Sequence, residues 1–313
     1  MPSVLISGGT GTIGKRLTQL LLQKGYQVSI LSRSADHYSG NDIPENGLLK
    51  FYQWDVVNQT IDPEAVSTAD YIIHLAGAGV ADKRWSRKRK QEILDSRTQS
   101  SALLVKALRE NPHQVKSVVS ASAIGWYGPD RNNSTLTGFV ESDPCYPDYL
   151  GDTCMQWEAS ILPVTSIGKR LVILRTGIVL SNAGGAFVEF KKPLAFKLAT
   201  VLGSGQQIIS WIHEDDLCNQ YIYAIEQEHM NGIYNAVAPE PVSNSVLIHA
   251  LAKKLCGRLY MAVRVPAFIL KLMLGEMSIE VLKSTKVNCQ KMQDTGFKYQ
   301  YPTIRQAIDA LSK

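Results

Sequence analysis

A chain of 313 residues, 45% hydrophobic and 19% charged, has enough apolar material for a large buried core and is far from the make-up of disordered chains; one large domain with an appended lobe is expected. Its formal charge of +5 is modest, and its five cysteines form no CxxC or Cys/His cluster, which argues against a metal site and fits a reduced, cytoplasmic setting. No apolar run reaches the about 18 residues that span a bilayer, so a membrane is not expected as a partner.

The first element is a short buried strand, "SVLISGG" (3–9); no basic stretch precedes it and a glycine loop follows at once, unlike a signal peptide. "GTIGKRLTQLLLQKGY" is a helix with a glycine stop at Gly25, "QVSILSRS" a second strand, "LKFYQWDV" a third and "ADYIIHLAG" a fourth. The run "KRWSRKRK" at 83–90 has six basic positions of eight and leads into the apolar spacing of an amphipathic helix from Trp85 to Leu108. Its charges are therefore assigned to the solvated start of a helix, and nucleic acid is not expected as a partner. "VKSVVSASA" (115–123) is a fifth strand, and residues 127–149, rich in Pro, Asn, Ser and Gly, read as a lid or substrate loop. A short helix, "DYLGDTCMQWE" (148–158), precedes a sixth strand, "RLVILRTGIVLS" (170–181). Apolar strands alternating with helices predict an α/β fold: a Rossmann-type, doubly wound parallel sheet with ligands beyond the carboxyl ends of its strands.

From residue 181 the chain crosses into a second lobe, returns with "WIHEDDLCNQYIYAIEQ", and enters the lobe again through a helix capped near Ser243 or Asn244. "VPAFILKLMLG" (265–275) is short and broken by Lys271, and reads as a packed helix; "PTIRQAIDALSK" is a last amphipathic one. The expected division is a nucleotide-binding domain over 1–180 and 211–237 and a smaller C-terminal substrate lobe over 181–210 and 238–313, with the crevice between them.

The loop "GGTGTIG" sets Gly8, Gly11 and Gly14 in a GxxGxxG spacing between a strand and a helix. This pattern gives a tight turn, close backbone approach to a pyrophosphate, and a helix N-terminus aimed at the phosphates. Residues 9–16 nearly match a P-loop, but Arg16 stands where a magnesium-binding hydroxyl is needed. About 20 residues beyond the loop, where an NAD-binding chain places an acid, stand Ser32 and Arg33. A hydroxyl and a guanidinium suit a 2′-phosphate, which favours NADP(H).

Taken together, "GGTGTIG", "HLAG" (74–77), "SASAIGWYG" (120–128), "LRTGIVL" (174–180) and "WIHEDDL" (211–217) resemble the extended short-chain dehydrogenase/reductases. "RWSRKRKQEILDSR", "DYLGDTCMQWEA" and "GFKYQYPTIRQAI" narrow the resemblance to an atypical, epimerase-like branch, labelled sugar nucleotide epimerases or cell division inhibitors, and it covers nearly the whole chain. It implies that Gly8, Thr10, Gly11, Thr12, Ile13 and Gly14 hold the pyrophosphate and Ser32 and Arg33 the 2′-phosphate. Leu75, Ala76 and Gly77 fall on the adenosine ribose side, Val179 by the nicotinamide end and Asp55 toward the adenine. Glu92 and Arg97 match cofactor-contacting positions, with a pair of exposed helix charges as the alternative.

The family's chemistry uses a Ser or Thr, a Tyr, and a Lys four residues after the Tyr that lowers its pKa. Ser122 fits the first role. Registering the motif on Glu158 places Leu150 at the Tyr position and Cys154 at the Lys position; Tyr149 is one residue off, with Thr153 four beyond it. Tyr127 is a second candidate or a packing aromatic, Cys154 a thiol acid/base or inert packing, and His213 matches a structural anchor of the lobe. In relatives the lobe reads nucleotide-sugar diphosphates, for which Lys191, Lys192 and Lys197 are available here unless they are solvated helix charges. Two readings stand: an NADP(H)-dependent epimerase-like oxidoreductase acting on a small carbohydrate or nucleotide-sugar-like molecule without the usual Tyr-x-x-x-Lys pair, or a non-catalytic NADP(H)-binding sensor or scaffold.

Overall fold

The computed structural model describes residues 1–34, 47–130 and 137–312; residues 131–136 of the expected lid loop lie outside them. The first half alternates β1 (Ser3–Ser7), α1 (Thr12–Gln23), β2 (Gln27–Ser32), β3 (Leu49–Asp55), β4 (Thr60–Ile61), α2 (Pro63–Ser67), β5 (Tyr71–His74), α3 (Arg87–Glu110), β6 (Ser117–Ala123), α4 (Tyr149–Ile161) and β7 (Arg170–Thr176). There follow β8 (Ile178–Leu180), α5 (Ala186–Lys191), β9 (Leu198–Leu202), β10 (Ile208–Ile209), β11 (Trp211–His213), α6 (Glu214–Glu226) and β12 (Gly232–Ala236). The chain continues with β13 (Val242–Ser243), α7 (Asn244–Cys256), β14 (Met261–Val265), α8 (Ala267–Leu274), α9 (Ser278–Leu282), α10 (Gln290–Asp294) and α11 (Ile304–Leu311).

Eight strands form the main sheet in the order β12-β7-β6-β5-β1-β2-β3-β4, all parallel except the two-residue edge strand β4. The apolar strands are explained by burial on both faces. Val4 and Ile6 pack with Leu17 and Leu21 of α1 and Tyr221 and Ile222 of α6, whereas Leu5 between them packs with Leu103, Leu104 and Leu108 of α3. Ile73 and Ile72, and Val119 and Val118, divide between the two cores in the same way. Strand order reverses between β1 and β5, so the crevice for a ligand opens where Ser7 and His74 end their strands.

The sixth strand read from sequence is in fact two. β7 stays in the main sheet, and the chain turns at Gly177 so that β8 leaves it to pair in parallel with β11. Gly177 N–H donates to Ala236 O (3.1 Å) and Ile178 N–H to Ser210 O (2.9 Å), and a Cβ at Gly177 would stand 2.6 Å from Ser210 O. A third core then gathers Leu180, Phe187, Leu194, Val201, Trp211, Leu247, Leu251, Ile304 and Ile308 beside the paired strands β9 and β14. Ser243 Oγ accepts from Val246 N–H (3.2 Å) and caps α7.

α8 departs from the packed helix expected at 265–275. Only Leu270 of its eight residues is buried, while Phe268, Leu272 and Met273 are 73%, 76% and 67% exposed. Apolar composition expresses a demand for cover, and the fold meets it at one position. No helix among the described residues is long and apolar enough to cross a membrane.

Candidate functional site

The β1–α1 turn is built so that only glycine fits. Gly8 has φ +75°, and a Cβ there would stand 2.9 Å from Leu75 C and Ala76 N, locking the turn against the end of β5. At Gly14 a Cβ would overlap Gly8 O, so the helix packs directly on the turn. The N-cap of α1 is Gly11, with no side-chain cap and no acid in the first turn, and Thr10 and Gly11 are exposed. The N–H groups and positive dipole of the helix start thus face outward without a competing carboxylate, as a dinucleotide pyrophosphate requires. Thr12 and Ile13 are half-buried at that start, and Gly184 comes close to Thr12 Oγ1.

Ser32 ends β2 next to β1, nearly buried, and its Oγ accepts from Ser34 N–H (3.1 Å). Arg33 is exposed, and its carbonyl accepts from Gln53 Nε2 (2.8 Å), so its backbone is tied while its side chain reaches solvent. Asp55, at the end of β3, accepts from Val57 N–H (2.9 Å), Asn58 N–H (3.0 Å) and Asn58 Nδ2 (2.7 Å); it is a turn-forming residue. Leu75 and Ala76 are half-buried and Gly77 exposed beside the glycine turn, and Val179 on β8 opposes Ile212 of β11.

On α3, Arg97 and Glu92 have different surroundings. Arg97 is 9% exposed; its Nη1 donates to Ala78 O and Ile93 O (2.9 Å each), and its guanidinium lies 4.9 Å from the Trp157 ring centroid. A Cβ on Gly77 would be 3.1 Å from Arg97 Cζ, so the cation underlies the crevice floor. Arg97 has no carboxylate partner among the described residues, and burial lowers its pKa. Glu92 is half-exposed and pairs with the buried Arg89 (2.8 Å) one turn earlier on the helix.

The end of β6 meets α4 through a buried polar chain. Ser122 Oγ donates to Glu158 Oε1 (2.6 Å), and Glu158 is held by Arg175 Nε (2.8 Å) and Nη2 (2.9 Å). Arg175 Nη1 donates to Tyr127 OH (3.1 Å), which donates to Asn235 Oδ1 (2.8 Å). Tyr127 has no exposed surface, stacks on Phe139 with centroids 5.1 Å apart, and is pushed by burial up to about 12. Tyr127 is thus placed in a packed, hydrogen-bonded position. Leu150 and Cys154, the positions matched to the Tyr and Lys, face the turn after β6: a Cβ on Gly125 would lie 3.1 Å from Leu150 Cβ and 3.5 Å from Cys154 Sγ. The Cys154 thiol contacts Ala123 O at 3.6 Å, and burial pushes it up to about 12.

Tyr149 is not brought to Ser122. Nine residues separate it from Glu158, about half a turn around the helix. Its hydroxyl donates to Lys90 O (3.2 Å), its ring meets Trp85 edge-on (4.9 Å between centroids), and it lines a cavity of about 450 Å³ between α3 and α4 with Lys90, Asp152, Gln156 and Glu276. Burial raises its pKa, opposite to what a general base needs. His213 caps α6 through Nδ1, accepting from Asp215 N–H (3.0 Å), and lies 4.0 Å from the Tyr301 ring, a structural placement. Lys191 and Lys192 bond to Asn182 (2.8 Å) and Glu189 (2.7 Å).

Two features went unread in the sequence. Arg175 interrupts the apolar strand "RLVILRTG"; a cation in a buried strand demands a buried partner, and that was the available signal. His74, fully buried, sits between Ser7 Oγ (2.5 Å from Nδ1) and Ser101 Oγ (3.0 Å from Nε2), and burial lowers it to about 3, so it is a neutral link between β1, β5 and α3.

Known proteins share this architecture. Residues 4–149 match the profile of the NAD dependent epimerase/dehydratase family, and residues 265–311 match a domain of unknown function, DUF1731. An epimerase family protein of Staphylococcus saprophyticus is 35% identical over 311 residues, 99% of each chain, and one of Staphylococcus aureus is 32% identical over 312 residues, again 99% of each. Among solved structures, the human epimerase family protein SDR39U1, determined with NADPH, superposes with a TM-score of 0.85 at 29% identity over 99% of each chain. A nucleoside-diphosphate sugar epimerase from Corynebacterium glutamicum gives 0.76 at 28% identity, covering 100% of this chain and 59% of its own.

Proposed function

This chain belongs to the NAD dependent epimerase/dehydratase family, and from that premise we propose that it is an NADP(H)-binding, epimerase-like oxidoreductase of the cytoplasm, acting on a carbohydrate or nucleotide-sugar-like small molecule. The observation that carries the cofactor is the glycine turn, closed to any side chain at Gly8 and Gly14 and open to an anion at the helix start. Gly8, Thr10, Gly11, Thr12, Ile13 and Gly14 would hold the pyrophosphate, Ser32 and Arg33 the 2′-phosphate, Leu75, Ala76 and Gly77 the ribose side, and Val179 the nicotinamide end. Arg97, buried without a carboxylate, adds a cation under Gly77 that suits a cofactor phosphate or a substrate oxyanion. Glu92 is the weakest member of this set, because its charge is already answered by Arg89. NADP(H) is favoured over NAD(H) by Arg33 and by the NADPH in the human relative. The lobe of residues 181–210 and 238–313 would receive the substrate against the domain of residues 1–180 and 211–237.

Bound there, the nicotinamide supplies or accepts a hydride. Ser122, committed as a donor to Glu158, presents acceptor lone pairs and so orients a substrate hydroxyl better than it protonates a carbonyl. The non-catalytic reading, an NADP(H)-binding sensor or scaffold, draws on a specific observation: Leu150 and a high-pKa buried Cys154 occupy the helix face where the proton-transfer pair belongs.

Fluorescence titration tests the cofactor claim. NADPH should bind more tightly than NADH, and Arg33→Ala should weaken NADPH about tenfold, a loss of about 1.4 kcal/mol, while sparing NADH. Equal affinity for the two in the wild-type protein overturns the NADP(H) assignment. Incubation of the NADPH- or NADP-loaded protein with nucleotide sugars, read by NMR for inverted or oxidised carbons, then separates enzyme from sensor.

A further inference from the structure

We propose that the helical hairpin α8–α9, with the basic segment packed beside it, is a docking surface for an anionic lipid bilayer. This surface is independent of the cofactor assignment. Leu270 is the one buried residue of α8, with Ile269 and Leu274 half-buried beside it, and Phe268, Leu272, Met273 and, from α9, Ile279 project into solvent at 63% exposure or more. They form an exposed apolar ridge. Exposed apolar side chains on a helix with a positive surround can sink into the headgroup and acyl boundary of a bilayer.

The charges around the ridge have a positive excess. Arg84 lies against the turn that ends α8: a Cβ on Gly275 would be 2.8 Å from its Nε. That contact joins the ridge to the run at 83–90. Every acid within 82–92 and 264–283 is already bound to a neighbouring cation: Asp82 and Glu92 to Arg89, Glu276 to Lys90, and Glu280 to Lys283. Lys83, Arg84, Arg87, Lys88 and Lys271 are exposed and form no ion pair among the described residues. Exposed apolar side chains flanked by an excess of cations match phosphatidylserine-type headgroups over a hydrocarbon layer. A second copy of the chain fits less well, because a two-fold contact through the ridge would set Lys271 and Arg84 of one protomer near their own counterparts. The lack of a spanning segment does not bear on this contact, which lies on the bilayer and does not cross it.

Co-sedimentation of the full chain with vesicles tests the proposal. The protein should pellet with phosphatidylcholine–phosphatidylserine vesicles and stay in solution with phosphatidylcholine alone, and added salt should release it. Leu272→Ser should lower the partition about tenfold, and Lys271→Gln and Arg84→Gln about fivefold each, with circular dichroism unchanged. Equal binding to neutral vesicles, or no binding to either, overturns the proposal. So does a Leu272→Ser variant that binds vesicles normally but converts a dimer to a monomer in analytical ultracentrifugation.

Discussion

The turn at Gly8–Gly14 and the helix α4 flank the same strand ends but treat polar groups in opposite ways. The turn closes on itself through Gly11 N–H to Gly8 O and leaves the start of α1 without a side-chain cap. The helix face toward β6 spends its polar groups internally: Glu158 takes Ser122 and the Nε–Nη2 edge of Arg175, and Cys154 is sealed against Ala123. A site that keeps donors free is arranged for a ligand, and one that consumes them is arranged for rigidity. The contrast sets a surface open to a ligand beside a helix face closed on itself.

The largest effect should come from Arg175→Met, which strands the Glu158 carboxylate in a buried place at about 3–5 kcal/mol in urea unfolding; adding Glu158→Leu should recover most of it. NADPH binding by the folded fraction should persist, and its loss would show the two regions to be coupled. Gly14→Ala acts on the other side: overlap with Gly8 O should destabilise by about 2–3 kcal/mol and remove NADPH binding. Acid should act next. Burial lowers His74 to about 3 and His213 to about 4, so the unfolded chain binds more protons below its ordinary histidine pKa. Stability is full above about pH 6.5 and should fall on acidification, by about 1 kcal/mol for each histidine over the first pH unit below that value. A flat urea midpoint between neutral and mildly acidic pH contradicts that burial. The smallest effect belongs to Ser122→Ala, about 1 kcal/mol, because Arg175 still satisfies Glu158. A much larger loss of NADPH affinity in that variant would place Ser122 in the cofactor site.

Much of the nucleotide-binding half was legible because a doubly covered parallel sheet writes itself as apolar runs, as in "SVLIS" and "YIIH", and because Gly8 and Gly14 are imposed by backbone contacts that no other residue allows. The break at Gly177 was hidden because apolar residues continue on both sides, and what bends the chain there is a carbonyl of Ser210, 33 positions along the numbering. The partners of Ser122 were hidden for the same reason, since Glu158 and Arg175 meet only after two strands and a helix have assembled. The ridge at α8 was misread because hydrophobicity predicts burial only when a covering surface exists, and sequence does not show that surface. Tyr149 drew attention by its place in the helix, yet its rotation about the axis carries it to the α3–α4 cavity.

The third core has a consequence for the order of folding. It joins Leu180, Phe187 and Trp211 to Ile304 and Ile308, a span of more than a hundred residues that the β7–β12 pairing interrupts. During synthesis the main sheet has all its strands once Ala236 has emerged, whereas the lobe waits for α11 before its apolar surface closes. A chain about three-quarters made therefore carries a finished nucleotide-binding sheet beside an open greasy face, and loss of α11 should yield a product that aggregates.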